Sequence, residues 1–530
     1  MFKSAIFALL TTGALAFAQH HDMKPAVEKP VALYKGLGIW KHPIATKSPE
    51  AQKFFDQGLA LLYGFNRYEA LRSFKKASEL DPSAAMPYWG MAASQGPYIN
   101  MDGDPTFDLK GACAALDAPR KMATAAPPRE HDYLEAVSAW CPEYRPADYI
   151  RAAKALAEKW PDDLDAETLY AEALMIPQRW KWYAGGRPAE GVAEAERALQ
   201  NVLRRWPDHP GANHYYIHAV ESSPDPERAI PSAQRLMGIV PWAGHMVHMP
   251  AHIWLVMGEY GLAADVNERA SAVDREYSAA ANIGIGSYTT YYVHNLHFVV
   301  YARAMQGHRA QALQAAATIE SAAKSMAKAM PEMADYFLTQ AMFARIRTLA
   351  WDQVMNTPEP PANMPFARAM RAYGRVLAAL AKAERGGAAK EKTLFDAAAS
   401  KVTADAPFGT NKAGDIVNLA REIVAARMGQ DAVSHWRKAV EIQDGFVYDE
   451  PPAWYYPVRE SLGAELVRTG NAADGETVLR EGLRRSPRNG YMLFGLMEAL
   501  KAQNKDFGEV KREFDAVWSK SDVPLTLTLL

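Results

Sequence analysis

Residues 64–82 read GFNRYEALRSFKKASELDP, and this stretch decides the fold. Its small residues Ala70 and Ala77 are seven positions apart, so they lie on one face of a helix, with Phe74 between them. Small side chains let a second helix approach closely, while the aromatic ring fills the space between the two helices. An Asp-Pro pair then ends the helix. The stretch therefore predicts one helix of a tightly packed helical hairpin.

The same pattern recurs along the chain at a fixed period. Ala195, Ala229 and Ala263 are spaced 34 and 34 residues apart. Further matches follow at Gly307 with Ala312, at Ala432 with Trp436 and Ala439, and at Thr469–Gly470 through Ser486–Pro487. A period of this length indicates helical hairpins that stack on their neighbours into a solenoid. Ala312 comes 49 residues after Ala263, so we predict an insert of about 15 residues around 276–290, rich in turn-forming residues, that forms a loop.

This pattern resembles the tetratricopeptide repeat family, which implies an all-α superhelical solenoid of helix-turn-helix units. The alanine-rich composition favours helix nearly throughout. The resulting division of the chain is a signal peptide at 1–18, an N-terminal extension at 19–47, a repeat solenoid at 48–320, a helical segment of undetermined register at 321–425 and C-terminal repeats at 426–530. The resemblance is specific for the fold and says little about function, since such solenoids usually bind peptides and proteins.

The composition of residues 1–18 and of the later apolar stretches indicates where the protein is located. Residues 1–18 combine a charged start, an apolar stretch and an Ala-Phe-Ala cleavage site, as a secretory signal does. No later stretch reaches the roughly 18 apolar residues that a transmembrane helix needs. We therefore expect a secreted protein of a bacterial periplasm with no transmembrane segment. The net charge of −2 gives no basis for binding nucleic acid.

The chain has two cysteines, Cys113 and Cys141. In an oxidising compartment an even pair is most simply explained by a disulfide that closes one loop.

Seven of the fourteen histidines fall between residues 211 and 301 and take the same few positions of the repeat. We call these seven residues the histidine stripe: His214, His218, His245, His248, His252, His294 and His297. Residues three and four apart share a helical face, so each helix presents its histidines on one side. In tetratricopeptide repeats these positions line the concave groove, and the resemblance implies that the stripe faces that groove.

Repeated imidazoles on packed helices favour a transition-metal site. Packed helices are about 8–10 Å apart and a metal–nitrogen bond is about 2 Å long, so rings from neighbouring helices can converge on shared ions. Seven ligands exceed what one tetrahedral ion needs and suit two ions. Imidazole donors suit copper, zinc, iron or nickel. Copper is favoured over zinc because methionines are interleaved with the stripe, and no organic cofactor is implied.

Several residues near the stripe are candidates for supporting the metal or shaping a substrate pocket. Packing in a helical solenoid is the commoner explanation for the aromatic ones, and a solvated or helix-capping role is the commoner one for Glu221. The candidates are Glu221, Tyr215, Trp180, Asn295 and Tyr301. A second candidate copper site is the new N-terminus itself. Cleavage after Ala18 would leave Gln19, His20 and His21, whose amine, amides and third-position imidazole suit square-planar copper(II).

Three functions remain open from the sequence. The first is a periplasmic metalloprotein with two ions, with copper favoured, that acts as an oxidoreductase on a small-molecule substrate. The second is a metal carrier or sensor without turnover. The third is a scaffold without metal that binds a peptide or protein partner in its groove and whose histidines respond to pH.

Overall fold

We describe the protein from a computed structural model, which covers residues 29–102, 104, 106–117, 126–283, 287–429 and 431–530. The predicted signal peptide and the predicted copper site at Gln19, His20 and His21 lie outside these residues. The helices of the first half are α1 (Pro49–Tyr63), α2 (Arg67–Leu80), α3 (Met86–Gln95), α4 (Leu109–Ala115), α5 (Pro128–Ser138), α6 (Pro146–Lys159), α7 (Leu164–Met175), α8 (Val192–Arg205), α9 (Pro210–Glu221), α10 (Ile230–Ile239), α11 (Gly244–His248), α12 (Pro250–Val256) and α13 (Tyr260–Ala281).

The second half continues in the same way. Its helices are α14 (Ser287–Met305), α15 (Arg309–Met326), α16 (Pro331–Arg347), α17 (Trp351–Asn356), α18 (Pro365–Ala381), α19 (Arg385–Ala399), α20 (Ala413–Met428), α21 (Ala432–Asp444), α22 (Arg459–Arg468), α23 (Ala472–Arg485), α24 (Gly490–Ala502) and α25 (Gly508–Trp518). Two short 3₁₀ helices occupy Ile176–Gln178 and Pro226–Ala229. Two antiparallel hairpins pair β1 (Tyr183–Ala184) with β2 (Arg187–Pro188) and β3 (Pro407–Phe408) with β4 (Asn411–Lys412).

Consecutive helices pack as hairpins, and each hairpin packs on the next one, so the predicted all-α solenoid is confirmed. The first hairpin shows why the sequence folds this way. Phe74 of α2 is fully buried, and a side chain added at Gly58 of α1 or Gly90 of α3 would overlap its ring. Ala70 and Ala77 are also fully buried, as are the repeat alanines Ala195, Ala229 and Ala263. Small residues at these positions let the helices close around the larger ones.

The insert predicted as a loop around 276–290 is instead mostly helical. Helix α13 continues to Ala281 and α14 begins at Ser287. The extra residues therefore lengthen these two helices rather than forming a long connection. The cause is the run of alanines at 279–281, the strongest helix former. Asn282 then ends α13 in the left-handed conformation that asparagine tolerates.

Contacts between parts of the chain that are far apart in sequence hold the solenoid together. Residues 29–48 form no helix and cross the first repeats, where Tyr34 stacks on Trp242 with ring centroids 4.1 Å apart. At the other end, the hydroxyl of Tyr491 donates to the carbonyl oxygen of Ala304 over 3.1 Å, so the C-terminal repeats return to contact α14. The superhelix is thereby closed around its central repeats.

Cys113 and Cys141 form the predicted disulfide, with their Cα atoms 5.7 Å apart. It joins the end of α4 to the segment that follows α5. Within the described ranges, we find no helix with the length and apolar character that crossing a membrane requires.

Candidate metal centre

Six of the seven residues of the histidine stripe come together in two groups of three. His214, His218 and His245 form the first group, and a second is formed by His248, His252 and His294. In each group one ring nitrogen per residue lies within 4.8 Å of the others. The rings come from α9, α11, α12 and α14, which are successive inner helices of three repeats. Met249, followed by Pro250, separates α11 from α12, and the helical backbone continues through it.

The first group is anchored from outside by a backbone carbonyl. Nδ1 of His214 lies 2.5 Å from the carbonyl oxygen of Tyr63, which can only accept, so Nδ1 carries the proton. Nε2 of His214 then faces Nε2 of His245 at 3.1 Å. The phenyl ring of Phe65 covers both rings, with centroids 4.4 Å from His214 and 5.0 Å from His245.

The second group is anchored by an amide. Nδ1 of His248 lies 2.6 Å from Oδ1 of Asn267, whose Nδ2 donates to the carbonyl oxygen of Ala263 over 2.8 Å. The amide oxygen therefore accepts, and Nδ1 of His248 is the donor. Nε2 of His248 faces Nε2 of His252 at 2.7 Å. The ring of His294 completes the group, with its centroid 5.0 Å from that of His248.

Two glutamates, the buried Glu221 and the partly buried Glu450, join the groups. Glu221 accepts from Nδ1 of His218 over 2.9 Å and from Nδ1 of His252. Glu450, from the segment between α21 and α22, lies 2.5 Å from the same Nδ1 of His252. The hydroxyl of Tyr448 lies 3.2 Å from Glu450 and 3.4 Å from Glu221, so its single proton can be donated to either carboxylate. These contacts fix the proton of His218 and of His252 on Nδ1, as carboxylates do for metal-bound histidines.

The arrangement leaves nitrogen lone pairs facing each other. In four rings Nδ1–H is held by an acceptor, so each Nε2 has an unshared pair when the ring is neutral. One such pair, Nε2 of His248 and of His252 at 2.7 Å, repels unless a proton or a metal ion lies between the two atoms. Nδ1 of His245 has no acceptor among the described residues, so its Nε2 can carry the proton and donate to His214 over 3.1 Å. Two nitrogens bound tetrahedrally at about 2.0–2.1 Å from one ion are about 3.3–3.4 Å apart, somewhat farther than in these two contacts. Nε2 of His218 is buried without a hydrogen-bond partner among the described residues.

Burial keeps most of the rings neutral. It lowers the pKa of His218 and of His294 to about 3, and the pKa values of His214, His245 and His248 fall well below the usual range for the same reason. Neutral imidazole is the form that binds a metal ion.

His252 is the exception. Burial acts to lower its pKa, but Glu450 and Glu221 outweigh that effect and raise it to about 10. In the metal-free protein a proton on His252 therefore neutralises part of the buried carboxylate charge. Glu450 itself has a raised pKa, because of burial and of the neighbouring Glu221.

His297 does not join either group. Its ring lies between Tyr336 and Phe337, with centroids 5.8 and 6.4 Å away. On α14 it follows His294 by three residues and shares its face, but its ring packs against α16 and hydrogen-bonds to Gln340 there instead of joining the other histidines. The stripe therefore contributes six of its seven histidines to the candidate centre.

The centre is enclosed, whereas the sequence predicted an open concave groove. His214 and His248 have no exposed surface, and His294 is the most exposed of the six, although still half-buried. The inner surface of these repeats is covered on one side by Phe65, at the turn between α1 and α2. On the other side it is covered by the segment that carries Tyr448 and Glu450. Closure of the superhelix thus converts the groove into an interior site.

The structure separates the five candidate supporting residues by role. Glu221 contacts two histidines, and the indole of Trp180 lies 5.8 Å from the ring of His218. Tyr215 packs with its ring 5.2 Å from His214. Asn295 donates to Oδ2 of Asp274 over 2.6 Å instead of contacting a histidine. Tyr301 lines a cavity of about 620 Å³ that reaches Glu221, His252 and Glu450.

Sequence reasoning missed Asn267, Tyr448, Glu450 and the covering rings of Phe65 and Phe298. The last of these contacts His248, His252 and His294, with centroids 4.7–5.3 Å away. Glu450 is some 200 residues from His252 in the chain. No repeat position marks it, and only the folded chain brings the two together.

A second buried cluster fastens the N-terminal extension. Asp165, at the start of α7, accepts from Nδ1 of His42 over 2.8 Å, from Tyr63 over 2.5 Å and from Trp40 over 3.1 Å. Nε2 of His209 lies 3.2 Å from the same carboxylate. Four donors around one carboxylate describe an ion-paired clasp between residues 40–42 and the repeats.

No protein-family model matches this chain, and no curated protein sequence matches it. Solved structures similar to it include the human IFIT1 dimer with m7Gppp-AAAA, with a TM-score of 0.31, 13% identity and coverage of 89% of this chain and 90% of that chain. Naa15/Naa10 bound to HypK-THB has a TM-score of 0.23, 12% identity and coverage of 89% and 90%. The P58(IPK) TPR domain has a TM-score of 0.19, 10% identity and coverage of 86% and 98%. The tetratricopeptide-type fold follows from the stacked helical hairpins of the chain itself.

Proposed function

We propose that this protein binds two transition-metal ions side by side, each through three imidazole Nε2 atoms. His214, His218 and His245 hold one ion, and His248, His252 and His294 hold the other. The observation that carries the proposal is the convergence of two groups of three ring nitrogens, each within 4.8 Å of one another. In four of the six rings an acceptor holds the proton on Nδ1 and leaves Nε2 free for an ion.

Copper is the ion we propose. Three neutral imidazoles per ion suit copper, and its divalent ion has the highest affinity in the order for such nitrogen sites. Zinc is the main competitor, since it binds the same donors. The interleaved residues Met246 and Met249 are fully buried in the hydrophobic core, so the proposal of copper depends on the imidazoles and not on these methionines.

We further propose that the copper pair makes the protein an oxidoreductase. Bound there, the ions would supply one-electron redox chemistry at two adjacent sites: overall, an organic donor would lose two electrons and two protons, and dioxygen would take them up and leave as hydrogen peroxide. The cavity reaches His252 of the second group and would hold such a donor beside it.

We also propose that the protein is exported to a bacterial periplasm. The disulfide between Cys113 and Cys141 supports an oxidising compartment, and the composition of residues 1–18 supports a secretory signal. Detection of the mature chain, without its first 18 residues, in a periplasmic fraction would test this.

Metal content of the purified protein is the direct test. We expect close to two ions per chain, with copper taken up in preference to zinc when both are offered. Replacing His248 and His252 together with alanine should remove at least one ion while the circular dichroism of the helices is retained. Replacing His308 or His435, which lie outside the centre, should leave the metal content unchanged. Retention of both ions in the double variant would overturn the assignment.

The redox part has its own test. The copper-loaded protein, reduced without oxygen and then exposed to dioxygen, should develop a new near-ultraviolet absorption band, and the His248/His252 double variant should not. A copper protein that binds two ions but shows no spectral change with dioxygen would support a carrier instead.

A further inference from the structure

The cavity of about 620 Å³ lies between the second metal group and the C-terminal repeats. It is bounded by residues 221–227, by α12 and the start of α13, by part of α14, and by residues 443–459 and 482–487. Binding sites for small organic molecules usually have volumes of about 300–1,000 Å³. The cavity is therefore large enough for one such molecule beside His252.

Its inner wall is aromatic. Tyr260, Phe298, Tyr301, Trp454 and Tyr456 all line it. All five come from buried positions, so the rings are held by packing. Tyr260, Tyr301 and Tyr456 keep 5–8% of their surface exposed, whereas Phe298 and Trp454 keep at most 1%. A planar ring gains more from such walls than a flexible aliphatic chain, because stacked and edge-to-face ring contacts add to the burial of apolar area.

The end of the cavity nearest the metal groups is made of hydrogen-bond acceptors with negative charge. Glu221 and Glu450 both reach this end, and the hydroxyl of Tyr448 can donate to either of them. An ionised carboxylate has no proton to donate. A ligand group at this end must therefore donate a hydrogen bond, and an anionic group would be repelled by the two carboxylates. Three arginines also line the cavity: Arg459 and Arg485 are paired with Asp444 and Glu481, and Arg484 is exposed to solvent.

From these walls we infer that the cavity binds a small aromatic compound that carries hydroxyl groups, with the ring against Tyr301 and a hydroxyl directed to Glu450. The inference deepens the proposed function, since this compound would be the organic donor. Binding to the cavity itself depends on the aromatic and acidic residues and does not require the metal ions.

Calorimetric titration of catechol, benzoate and cyclohexanol tests the ligand class. It should be done with the metal-loaded protein and again after chelation. We expect one catechol per chain in both states, and at least tenfold weaker binding of benzoate and cyclohexanol after chelation. Equal affinity for benzoate and catechol in the chelated protein would overturn the role of the carboxylates. Equal affinity for cyclohexanol would overturn the role of the rings.

Three variants locate the site. Tyr301→Ala should weaken catechol binding about threefold to tenfold, the range for one aromatic contact. Met257→Trp, which fills the cavity from its wall, should abolish binding. Tyr292→Ala, on the same helix as Tyr301 but outside the cavity, is the matched control and should bind normally. Normal catechol binding by both Tyr301→Ala and Met257→Trp would place the site elsewhere.

The charge argument has a separate readout. In the chelated protein, Glu450→Gln should raise the affinity for benzoate while catechol binding changes little, because the amide removes the repulsion and still accepts a hydrogen bond. No gain for benzoate would show that Glu450 does not face the ligand. If the protein proves to hold no metal but binds catechol as expected, the proposed function fails and the cavity assignment stands.

Discussion

Replacing Asn267 with leucine should weaken the binding of one metal ion, although Asn267 is not itself a metal ligand. Asn267 has no exposed surface, and its Oδ1 is the acceptor for Nδ1 of His248 over 2.6 Å. Leucine has a similar volume but offers no acceptor. Nothing then fixes the proton of His248 on Nδ1, and the ring can place it on Nε2, where it must be displaced before a metal binds.

The size of the effect follows from the geometry. Removing a partner that orients a ligating histidine typically lowers metal affinity 10- to 100-fold, which is about 1.4–2.7 kcal/mol. The buried Nδ1–H left without an acceptor should also lower the free energy of unfolding of the metal-free protein by about 1–3 kcal/mol. Only the ion held by His248, His252 and His294 should be affected.

Competition against a chelator of known affinity measures both sites in one titration. We expect two resolved affinities, of which one falls in Asn267→Leu, and recovery in Asn267→Asp, whose carboxylate again accepts from Nδ1. Asn201→Leu is the control, because Asn201 bonds to Glu167 away from the centre. If both affinities in Asn267→Leu equal those of the unaltered protein, His248 does not ligate through Nε2 and the proposed geometry is wrong.

Two further predictions concern stability. Asp165→Asn should lower the free energy of unfolding in urea by about 3–5 kcal/mol, because it breaks a buried ion pair, and the exposed Asp162→Asn should not. The pKa of Asp165 is lowered mainly by its hydrogen bonds to His209 and His42, against burial, and that of His42 is raised by Asp165, also against burial. The difference in unfolding free energy between the unaltered protein and Asp165→Asn should therefore be largest between about pH 4 and 6.5. It should shrink in acid as Asp165 is protonated, and at higher pH as His42 loses its proton. A pH-independent difference would argue against the ion pair. Replacing Cys113 and Cys141 with alanine should cost about 3–4 kcal/mol, since the disulfide closes a loop with a sequence separation of 28, and an unchanged urea midpoint would contradict this.

The repeat period made the fold predictable because each hairpin depends on local spacing. Ala195, Ala229 and Ala263 are buried where the pattern placed them. The same period brought six histidines together, since equivalent positions of stacked repeats are neighbours in space. The period could not show that the superhelix closes. Closure depends on contacts far apart in sequence, such as Tyr491 with Ala304, and it turned the predicted groove into an interior.

His297 shows that an equivalent repeat position does not guarantee a place in the shared site. It follows His294 by three residues, as His248 follows His245, yet its ring packs against Tyr336 and Phe337. The repeat position determines where the backbone of a residue lies, whereas packing against the neighbouring helix determines the direction of its side chain.

Enclosure changes what the centre requires chemically. Two doubly charged ions in a buried site need nearby negative charge, because desolvated charge without compensation is costly. Glu221 from the repeats and Glu450 from outside them supply two carboxylates beside His252. In the metal-free protein the same carboxylates hold a proton on that ring. Binding of the second ion should therefore release a proton from His252, so the affinity for this ion should rise with pH. The first ion is held by rings that are already neutral, so the affinity for it should change little near neutrality. Chelator competition at two pH values, with Glu450→Gln for comparison, separates the sites; equal pH dependence of both affinities would show that Glu450 and Glu221 do not govern His252.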